Sequence, residues 1–312
     1  MAKPKIYIDG QAGTTGLQIY ERLAGRTDIE LLTIGEERRK DANARRECLN
    51  AADLAILCLP DDAARDAAGL IEEERVKVID CSTAHRTAEG WVYGLPELGR
   101  REQICTARRV ANPGCHATGF LLCVAPLVER GMIPKDEPLC CWSLTGYSGG
   151  GKKMIAEYEA AERDPRLASP APYAVGLSHK HLPEMQKVAG LTVPPAFLPV
   201  LGDIYQGMCT TVLLPDNPRL NGAPTAREVW ALLDEVYRAE PLVEVTPFDA
   251  APPRLYTGEL AGLDRVRITV SGTDGQTLIA AQFDNLGKGA SGAAVQNMNL
   301  MLGFAETAGL NL

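Results

Sequence analysis

The composition of the chain already excludes several classes of protein. It has 312 residues, enough for about two domains, and its 46% hydrophobic and 23% charged residues are ordinary for a globular protein. The net charge of −8 argues against a nucleic-acid-binding protein, because such proteins present a basic face.

The first third of the chain alternates predicted strands and helices. Short apolar runs predict the strands, and the charged, alanine-rich segments between them predict the helices. The predicted strands are Ile6–Ile8, Leu31–Ile34, Leu54–Leu59 and Val76–Ile79. This alternation is typical of an α/β protein with a parallel, doubly wound sheet.

Beyond residue 115 the pattern changes to a second domain of mixed or antiparallel sheet. The strands predicted there are Leu139–Leu144, Phe197–Leu201, Thr210–Leu214, Arg265–Val270 and Thr277–Phe283. The last two flank 271–276, which predicts a hairpin. Residues 289–308 predict one long helix, which we expect to return to the first domain. The predicted domains are therefore 1–115 with 286–312, and 116–285.

The N-terminus and the cysteines indicate a cytoplasmic protein. No basic segment followed by an apolar stretch opens the chain, and no apolar run nears about 18 residues, so we expect neither secretion nor a membrane span. The nine cysteines are scattered, with no C-x-x-C spacing. We therefore expect free thiols in a reducing compartment and no metal site.

A glycine-rich turn links the first predicted strand to the first predicted helix. Gly10, Gly13 and Gly16 form G-x-x-G-x-x-G, with Thr14 and Thr15 before the third glycine. Glycines let the backbone approach a pyrophosphate, and a helix N-terminus offers it N–H groups. The spacing departs from G-x-G-x-x-G, and a tight turn without a ligand is the alternative. The strand–turn–helix context favours a dinucleotide site.

The segment after the second predicted strand suggests which dinucleotide binds. Both acidic and basic residues occur at 36–40, where a cofactor site holds the ribose 2′ group. The consecutive cations Arg38, Arg39 and Lys40 favour the 2′-phosphate of NADP(H). The alternative is a solvated helix start.

One cysteine stands apart from the other eight. Cys115 follows Asn112-Pro113-Gly114 and begins an apolar, helix-patterned run to residue 128. Unpaired backbone N–H groups and the positive end of a helix dipole favour thiolate over thiol. A thiolate is the nucleophile for covalent chemistry on an acyl group. The alternative is a buried cysteine in an ordinary turn–helix junction.

Histidines supply the second candidate element of a catalytic site. His179 and His181 belong to the polar cluster 179–184, which ends in Glu184, and histidine suits proton transfer near neutral pH. Metal binding by this H-x-H pair is the alternative, but no further ligands cluster with it. We expect His85 and His116 to be structural.

Two further turns are suited to an anionic group. Ser82 and Arg86 follow the fourth predicted strand, and α/β sheets bind ligands beyond the carboxyl ends of their strands. Gly149 and Gly150 lie in the turn 148–153, which presents backbone N–H groups before a helix that begins near Met154. A Walker A motif is absent, which argues against an ATPase.

These motifs together resemble N-acetyl-γ-glutamyl-phosphate reductase, in the shorter of that family's two types. The resemblance runs nearly end to end. The segments that carry it are Gly10–Gly16, Ser82–Arg86, Gly94–Leu98, Asn112–Cys115, Ser148–Lys152, His179–Glu184 and Asn285–Ala290.

The resemblance implies a fold, a reaction and an assembly. The fold is a Rossmann-type dinucleotide-binding domain plus an α+β substrate and dimerisation domain, as in glyceraldehyde-3-phosphate and aspartate-semialdehyde dehydrogenases. The reaction is the NADPH-dependent reduction of N-acetyl-L-glutamyl 5-phosphate to N-acetyl-L-glutamate 5-semialdehyde and phosphate, in arginine biosynthesis. The assembly is a homodimer or homotetramer.

The resemblance also assigns roles to residues. Cys115 matches the nucleophile that forms a thioester, and His179 or His181 matches the acid/base, with His179 favoured. The residues matched to the cofactor are Gly10, Gly13, Thr14, Thr15, Gly16, Arg38, Arg39 and Asn285. The residues matched to the substrate are Ser82, Arg86, Asn112, Gly149, Gly150 and Glu184.

The chain departs from its longer relatives at one position. They tend to carry arginine where this chain has Gln206, before Gly207 and Met208. If that arginine holds a substrate anion, Arg86 is the expected replacement. The remaining alternatives are the same chemistry on aspartyl phosphate or an N-acetyl-aminoadipyl derivative, and a dinucleotide-sensing regulator without catalysis.

Overall fold

The structure is a computed structural model that describes residues 2–39, 41–215, 224–273 and 275–312, without the side chain of Glu36. Its internal contacts divide it into two compact units, Met1–Pro113 with Ala290–Leu310 and Gly114–Gly289 with Asn311–Leu312. Within the described residues, no helix is both long and apolar enough to cross a membrane.

The first unit is built on a parallel sheet covered by helices. Its strands are β1 (Lys5–Asp9), β2 (Glu30–Leu32), β3 (Leu54–Leu57), β4 (Lys77–Asp80), β5 (Val92–Tyr93) and β6 (Arg109–Ala111). Its α-helices are α1 (Thr14–Ala24), α2 (Ala42–Ala51), α3 (Asp61–Gly69), α4 (Arg101–Thr106) and α9 (Gly292–Leu302). The strand order is β2-β1-β3-β4-β6-β5, and every pair in it is parallel.

Both faces of this sheet are apolar because both are covered. Ile6 and Ile8 of β1 pack in a cluster with residues of α1 and α9. Tyr7, between them in sequence, packs in a second cluster with residues of α2 and α3. Since β2 and β3 lie on opposite sides of β1, the chain reverses direction along the sheet there. The carboxyl ends of β1 and β3 therefore form a topological switch point, where such sheets bind ligands.

The second unit is built on a mixed sheet. Its strands are β7 (Cys140–Gly146), β8 (Ala171–Pro172), β9 (Ala196–Gly202), β10 (Met208–Pro215), β11 (Val243–Val245), β12 (Val266–Thr273) and β13 (Gln276–Phe283). Its α-helices are α5 (Cys115–Glu129), α6 (Gly151–Tyr158), α7 (Leu182–Ala189) and α8 (Ala226–Tyr237). The strand order is β11-β12-β13-β10-β7-β9-β8. Helix α5 packs on β10 and β13 and is flanked by α7 and α8.

Two adaptations hold α5 in the interior of its unit. A Cβ at Gly119 would lie 2.5 Å from Thr210 Oγ1, so glycine allows the helix to approach the sheet closely. Pro126 lies inside the helix and has no N–H to donate to the carbonyl of Leu122. The hydroxyl of Tyr237, on α8, donates to that carbonyl at 2.8 Å. The buried acceptor that proline would leave without its helical bond is thereby satisfied.

Several predicted elements need correction. The predicted helix over 289–308 is wrong in extent: a π-helical turn covers Gly287–Ser291, and α9 ends before Gly303, whose φ of +75° closes the helix in the left-handed conformation. The third strand ends at Leu57 rather than Leu59. Strands β5 and β6, of two and three residues, are too short for an apolar pattern to reveal. In the predicted hairpin, Thr273 pairs with Gln276, and Asp274 lies outside the described residues.

We predict that Tyr237→Phe lowers the free energy of unfolding by about 1–3 kcal/mol, because it leaves the buried Leu122 carbonyl unsatisfied. In a Pro126→Ala background the same change should cost clearly less, since the new N–H of residue 126 bonds that carbonyl. Urea denaturation of the four proteins of this double-mutant cycle measures the difference. Equal costs in both backgrounds would contradict this account of Tyr237.

Candidate active site

The glycine-rich turn of the first unit has a geometry that only glycine permits. Gly10 has φ +87°, and a Cβ there would lie 2.3 Å from the carbonyl oxygen of Cys58. A Cβ at Gly16 would lie 2.5 Å from the carbonyl oxygen of Gly10. Gly13 donates its N–H to that same oxygen at 3.0 Å and caps α1, which begins with Thr14 and Thr15. The tight turn and the helix start suit a pyrophosphate.

A cavity of about 840 Å³ opens beside this turn, at the switch point between β1 and β3. Its lining includes Gly10, Gly13, Cys58 and Arg39. Arg38 does not line it: its side chain is 54% exposed and lies 3.8 Å from Glu47. Lys40 lies outside the described residues. Of the predicted 2′-phosphate cations, only Arg39 is observed at the cavity.

The predicted anion-binding turn after β4 is held by a buried carboxylate. Asp80 accepts hydrogen bonds from the N–H and the hydroxyl of Ser82, at 2.9 and 2.7 Å. His85 Nδ1 lies 2.6 Å from Asp80 Oδ2, and the His85 ring stacks on Trp91. The hydroxyl proton of Ser82 is therefore committed to Asp80, and the His85 ring is held by Asp80 and Trp91.

Arg86 and Asn112 are tied to backbone and to one another. Arg86 donates from Nε to the carbonyl of Asn112 at 3.0 Å and from Nη2 to that of Cys81 at 3.3 Å. Asn112 is buried, donates to the carbonyl of Ala290 and accepts from Asn297. Both side chains brace the ends of β4 and β6 and the start of the C-terminal segment in the first unit.

In the second unit, Cys115 is the first residue of α5. The residue before it, Gly114, caps the helix and donates its N–H to Glu184 Oε2 at 3.1 Å. Glu184 is buried, so its carboxylate fixes the backbone at the helix start. A Cβ at Gly289 would lie 2.9 Å from the Cβ of Cys115. The half-buried cysteine therefore lies between the helix start and the loop 284–289.

His116 turns away from this face into a buried hydrogen-bond chain. Its Nδ1 lies 2.9 Å from Ser143 Oγ, which lies 2.8 Å from Thr210 Oγ1. Its Nε2 lies 2.8 Å from the hydroxyl of Tyr173. Burial lowers the pKa of His116 to about 3, so the ring is neutral and carries one proton. The pKa of Tyr173 is raised, first by burial and then by the negative charge of Cys115.

The other two histidines pack against the ring of His116. The ring centroids of His179 and His181 lie 5.4 and 5.6 Å from that of His116, and 4.6 Å from each other. The N–H of His181 donates to His179 Nδ1 at 3.2 Å. His181 is buried, with Nε2 4.0 Å from Glu184 Oε1, whereas His179 is half-buried. Among the described residues, no group of three or more His, Cys, Asp or Glu side chains is arranged to hold a metal ion.

The loop that contacts Cys115 is built around two polar side chains. Asn285 accepts from the N–H of Gly207 at 2.8 Å and donates to Ser148 Oγ at 3.1 Å, which ties the loop to the turn that contains Gly149 and Gly150. Asp284 is buried, and burial raises the pKa of its carboxyl. Gln206 donates to Asp284 at 2.9 Å.

Known proteins match this chain over nearly its full length. Residues 5–107 match the model described as semialdehyde dehydrogenase, NAD binding domain, and residues 115–285 match semialdehyde dehydrogenase, dimerisation domain. N-acetyl-gamma-glutamyl-phosphate reductase 2 of Nostoc sp. (strain PCC 7120) is 48% identical, over 99% of this chain and 100% of its own. The N-acetyl-gamma-glutamyl-phosphate reductase of Brucella ovis is also 48% identical, over 96% of this chain and 99% of its own length. The chain belongs to this reductase family.

Solved structures show the same fold as this family member. Aspartate semialdehyde dehydrogenase II of Vibrio cholerae aligns with a TM-score of 0.73 at 18% identity, over 97% of this chain and 99% of that one. A probable aspartate-semialdehyde dehydrogenase of Pseudomonas aeruginosa aligns with a TM-score of 0.69 at 17% identity, over 96% of this chain and 99% of that one. The predicted family resemblance, the predicted fold class and the predicted oxidoreductase class are confirmed.

The structure places further residues at these two sites that no sequence motif predicts. Tyr173 and Ser143 join His116 in the hydrogen-bond chain beside the cysteine helix. Arg45 lines the cavity of the first unit and pairs with Asp9. No local motif marks these residues, because each contact joins positions far apart in the chain.

We predict that the buried, neutral His116 makes the stability of this reductase depend on pH. Its folded pKa, about 3, lies below the unfolded value of about 6.5, so its contribution is complete above pH 6.5 and is lost as the pH falls towards 3. The loss should be roughly 1.4 kcal/mol per pH unit below pH 6. Urea denaturation at pH 7, 6 and 5 should show a shallower decline for His116→Gln than for the wild type. Parallel declines would contradict the prediction.

Proposed function

We propose that this chain reduces N-acetyl-L-glutamyl 5-phosphate with NADPH, giving N-acetyl-L-glutamate 5-semialdehyde and phosphate through a thioester on Cys115. The observation that carries the proposal is Cys115 at the first residue of α5, beside a histidine cluster, in a chain so similar to reductases named for this substrate. The nine free cysteines fit a reducing compartment, so we assign the reaction to the cytoplasm. The similarity to these reductases assigns it to arginine biosynthesis.

Cys115 performs the first chemical step. Its thiolate sulfur attacks the acyl carbon, a carbon–sulfur bond forms, and the bond to the phosphate oxygen breaks with its electron pair leaving on phosphate. The first N–H groups of α5 have no partner within the helix, and the positive end of its dipole stabilises both the thiolate and the developing oxyanion. The thioester matters because a carboxylate is too poor an acceptor of hydride.

The cavity of the first unit is the binding site that we assign to NADPH. Gly10, Gly13 and the start of α1 would hold the pyrophosphate, and Arg39 would supply positive charge for the 2′-phosphate. When bound, NADPH supplies the hydride that reduces the thioester carbonyl.

His179 is the residue that we assign to proton transfer. In the neutral ring, Nδ1 accepts a hydrogen bond from the N–H of His181, so the proton is at Nε2; in the acid form, a proton on Nδ1 would replace that hydrogen bond and Nε2 would be the donor. His179 protonates the Cys115 sulfur as the aldehyde leaves. His181 is buried beside the Glu184 carboxylate, and we assign it to positioning the cluster.

We predict that Cys115→Ala abolishes reduction of the acyl phosphate and also the reverse, phosphate-dependent reduction of NADP by the semialdehyde. Binding of NADPH, measured by fluorescence titration, should stay within about twofold of the wild type, since the cavity is in the other unit. Turnover near the wild-type rate in Cys115→Ala would rule out the thioester route.

Two matched comparisons sharpen this experiment. His179→Asn should lower kcat by about 10²–10⁴-fold, the range of general acid catalysis, whereas His181→Asn should lower it less. Full activity in both variants would exclude the assigned proton transfer. Aspartyl phosphate and N-acetyl-aminoadipyl phosphate, tested side by side with N-acetylglutamyl phosphate, should be turned over more slowly by the wild type.

The second unit matches a dimerisation domain, and we propose that the chain forms a homodimer through the outer face of its sheet. Trp142 on β7 and Leu213 on β10 are 42% and 47% exposed, so two large apolar side chains lie on the same outer face of the sheet. Cys140, opposite Leu213 in the strand register, is exposed on the same face. A second copy placed there would cover these side chains.

We predict that Trp142→Arg converts the dimer to a monomer, because burial of an unpaired charge opposes association. Sedimentation velocity measures the mass. Tyr256→Arg is the matched control: Tyr256 is another exposed aromatic residue, outside the strands of the sheet, and its substitution should leave the dimer intact. A Trp142→Arg protein of unchanged mass would exclude this face as the contact.

A further inference from the structure

The cavity of the first unit holds a second arginine besides Arg39. Arg45 lies in the first turns of α2, and its side chain lines the cavity. The residues after β2, Thr33 and Ile34, line the same cavity. In dinucleotide-binding sheets, the residues after this strand hold the ribose 2′ group of the cofactor. Two cations therefore flank the region where a 2′ substituent would lie.

A buried carboxylate fixes the orientation of Arg45. Asp9, the last residue of β1, accepts from Arg45 Nε at 3.1 and 3.2 Å and from Nη2 at 2.8 Å. Asp9 is buried, while the Arg45 side chain keeps 18% of its surface exposed. Such a two-point contact holds a guanidinium plane in one direction.

This pairing uses only one edge of the guanidinium group. Arg45 has five N–H donors, and Asp9 occupies the Nε–Nη2 edge. Within the described part of the chain, Nη1 makes no hydrogen bond. The end formed by Nη1 and the second proton of Nη2 has the geometry that binds two oxygens of a phosphate.

The charges of the cavity also favour a phosphate. Its lining includes Arg39, Arg45 and one carboxylate, Asp9, among the described residues. Asp9 alone would repel a phosphate dianion. Paired with Arg45 its charge is balanced, and Arg39 is a second cation in the lining.

We propose that Arg45 contacts the 2′-phosphate of NADP(H) and determines the preference for it over NAD(H), with Asp9 as its positioning residue. This inference rests on the proposed use of NADPH and adds a residue to it. Arg39 lies on an exposed turn, whereas Arg45 is held in place before the cofactor arrives, so it loses less side-chain freedom on binding.

The test compares two ligands that differ only in the 2′-phosphate, 2′,5′-ADP and 5′-AMP, by isothermal titration calorimetry on the full chain. The wild type should bind 2′,5′-ADP more tightly. Arg45→Met should weaken the binding of 2′,5′-ADP roughly 10- to 100-fold, the range of one charge-assisted hydrogen bond. It should leave the affinity for 5′-AMP within about twofold of the wild-type value. Arg45→Lys keeps the positive charge but lacks the planar, two-pronged donor group of arginine. Its affinity for 2′,5′-ADP should lie between those of the wild type and Arg45→Met.

Two further variants control for folding and for net charge. Arg45→Met leaves Asp9 buried without its partner, which destabilises the unit. The double variant Asp9→Asn with Arg45→Met removes both charges, and should lose the same selectivity at a higher melting temperature. Arg46→Met makes the same change of charge one residue along α2, at a half-exposed side chain outside the cavity, and should behave like the wild type.

Each outcome separates this inference from the proposed function. Loss of selectivity in the Arg45 variants but not in Arg46→Met supports it. Unchanged selectivity in both Arg45→Met and the double variant overturns it and leaves the NADPH proposal intact. An equal loss for both ligands also overturns it, because Arg45 would then only shape the cavity. A wild type without preference for 2′,5′-ADP would overturn the proposed cofactor as well.

Discussion

The first turn of an α-helix has backbone N–H groups without helical partners, and the proposed chemistry of Cys115 depends on how those groups are used at α5. One N–H just before the helix is taken by the buried carboxylate of Glu184, which fixes where the helix begins. Gly289 lies so close to Cys115 that it cannot carry a side chain. Cys115, the proposed nucleophile, is thus positioned by a carboxylate from α7 and a glycine from the loop after β13, both distant in sequence.

Three buried carboxylates, Asp9, Glu184 and Asp80, orient the groups around them. Asp9 orients an arginine, and Glu184 orients a helix start. Each is satisfied by N–H donors, since a buried carboxylate without partners would be strongly destabilising. Asp80 does the same for the turn after β4, where it holds Ser82 and His85. These carboxylates therefore fix the orientation of an arginine, a helix start and a turn.

The parts of the site that could be predicted from the sequence are those encoded by neighbouring residues. The turn from Gly10 to Gly16 and the cysteine after Pro113-Gly114 are local patterns with a direct backbone meaning. The strands of the second unit were predictable because each runs for seven or eight residues, apart from the short β8 and β11. Strand β6, with three residues, gives no such pattern.

The parts that could not be predicted depend on topology. Arg45 and Asp9 are brought together only because the chain reverses direction along the sheet at β1, which places α2 over the face that Asp9 points to. The binding partners of Arg86 are two backbone carbonyls, and no motif reports which carbonyls a fold leaves within reach. The end of α9 at Gly303 could not be predicted from the residue type, because glycine also occurs within the π-helical turn and at the first residue of α9. Only the left-handed backbone angle of Gly303 marks it as the end of the helix.

The alternation of β7 and β10 gives their two faces different tasks. Ser143 and Thr210 point inward, where Thr210 bonds Ser143 and Ser143 bonds the ring of His116, while Trp142 and Leu213 point outward. Trp142 and Ser143 are consecutive, so backbone displacement on one face is transmitted to the other within a single residue. In the proposed dimer, the partner subunit would brace the strands that support the histidine cluster. Assembly and reactivity would then be coupled through the backbone of β7 and β10.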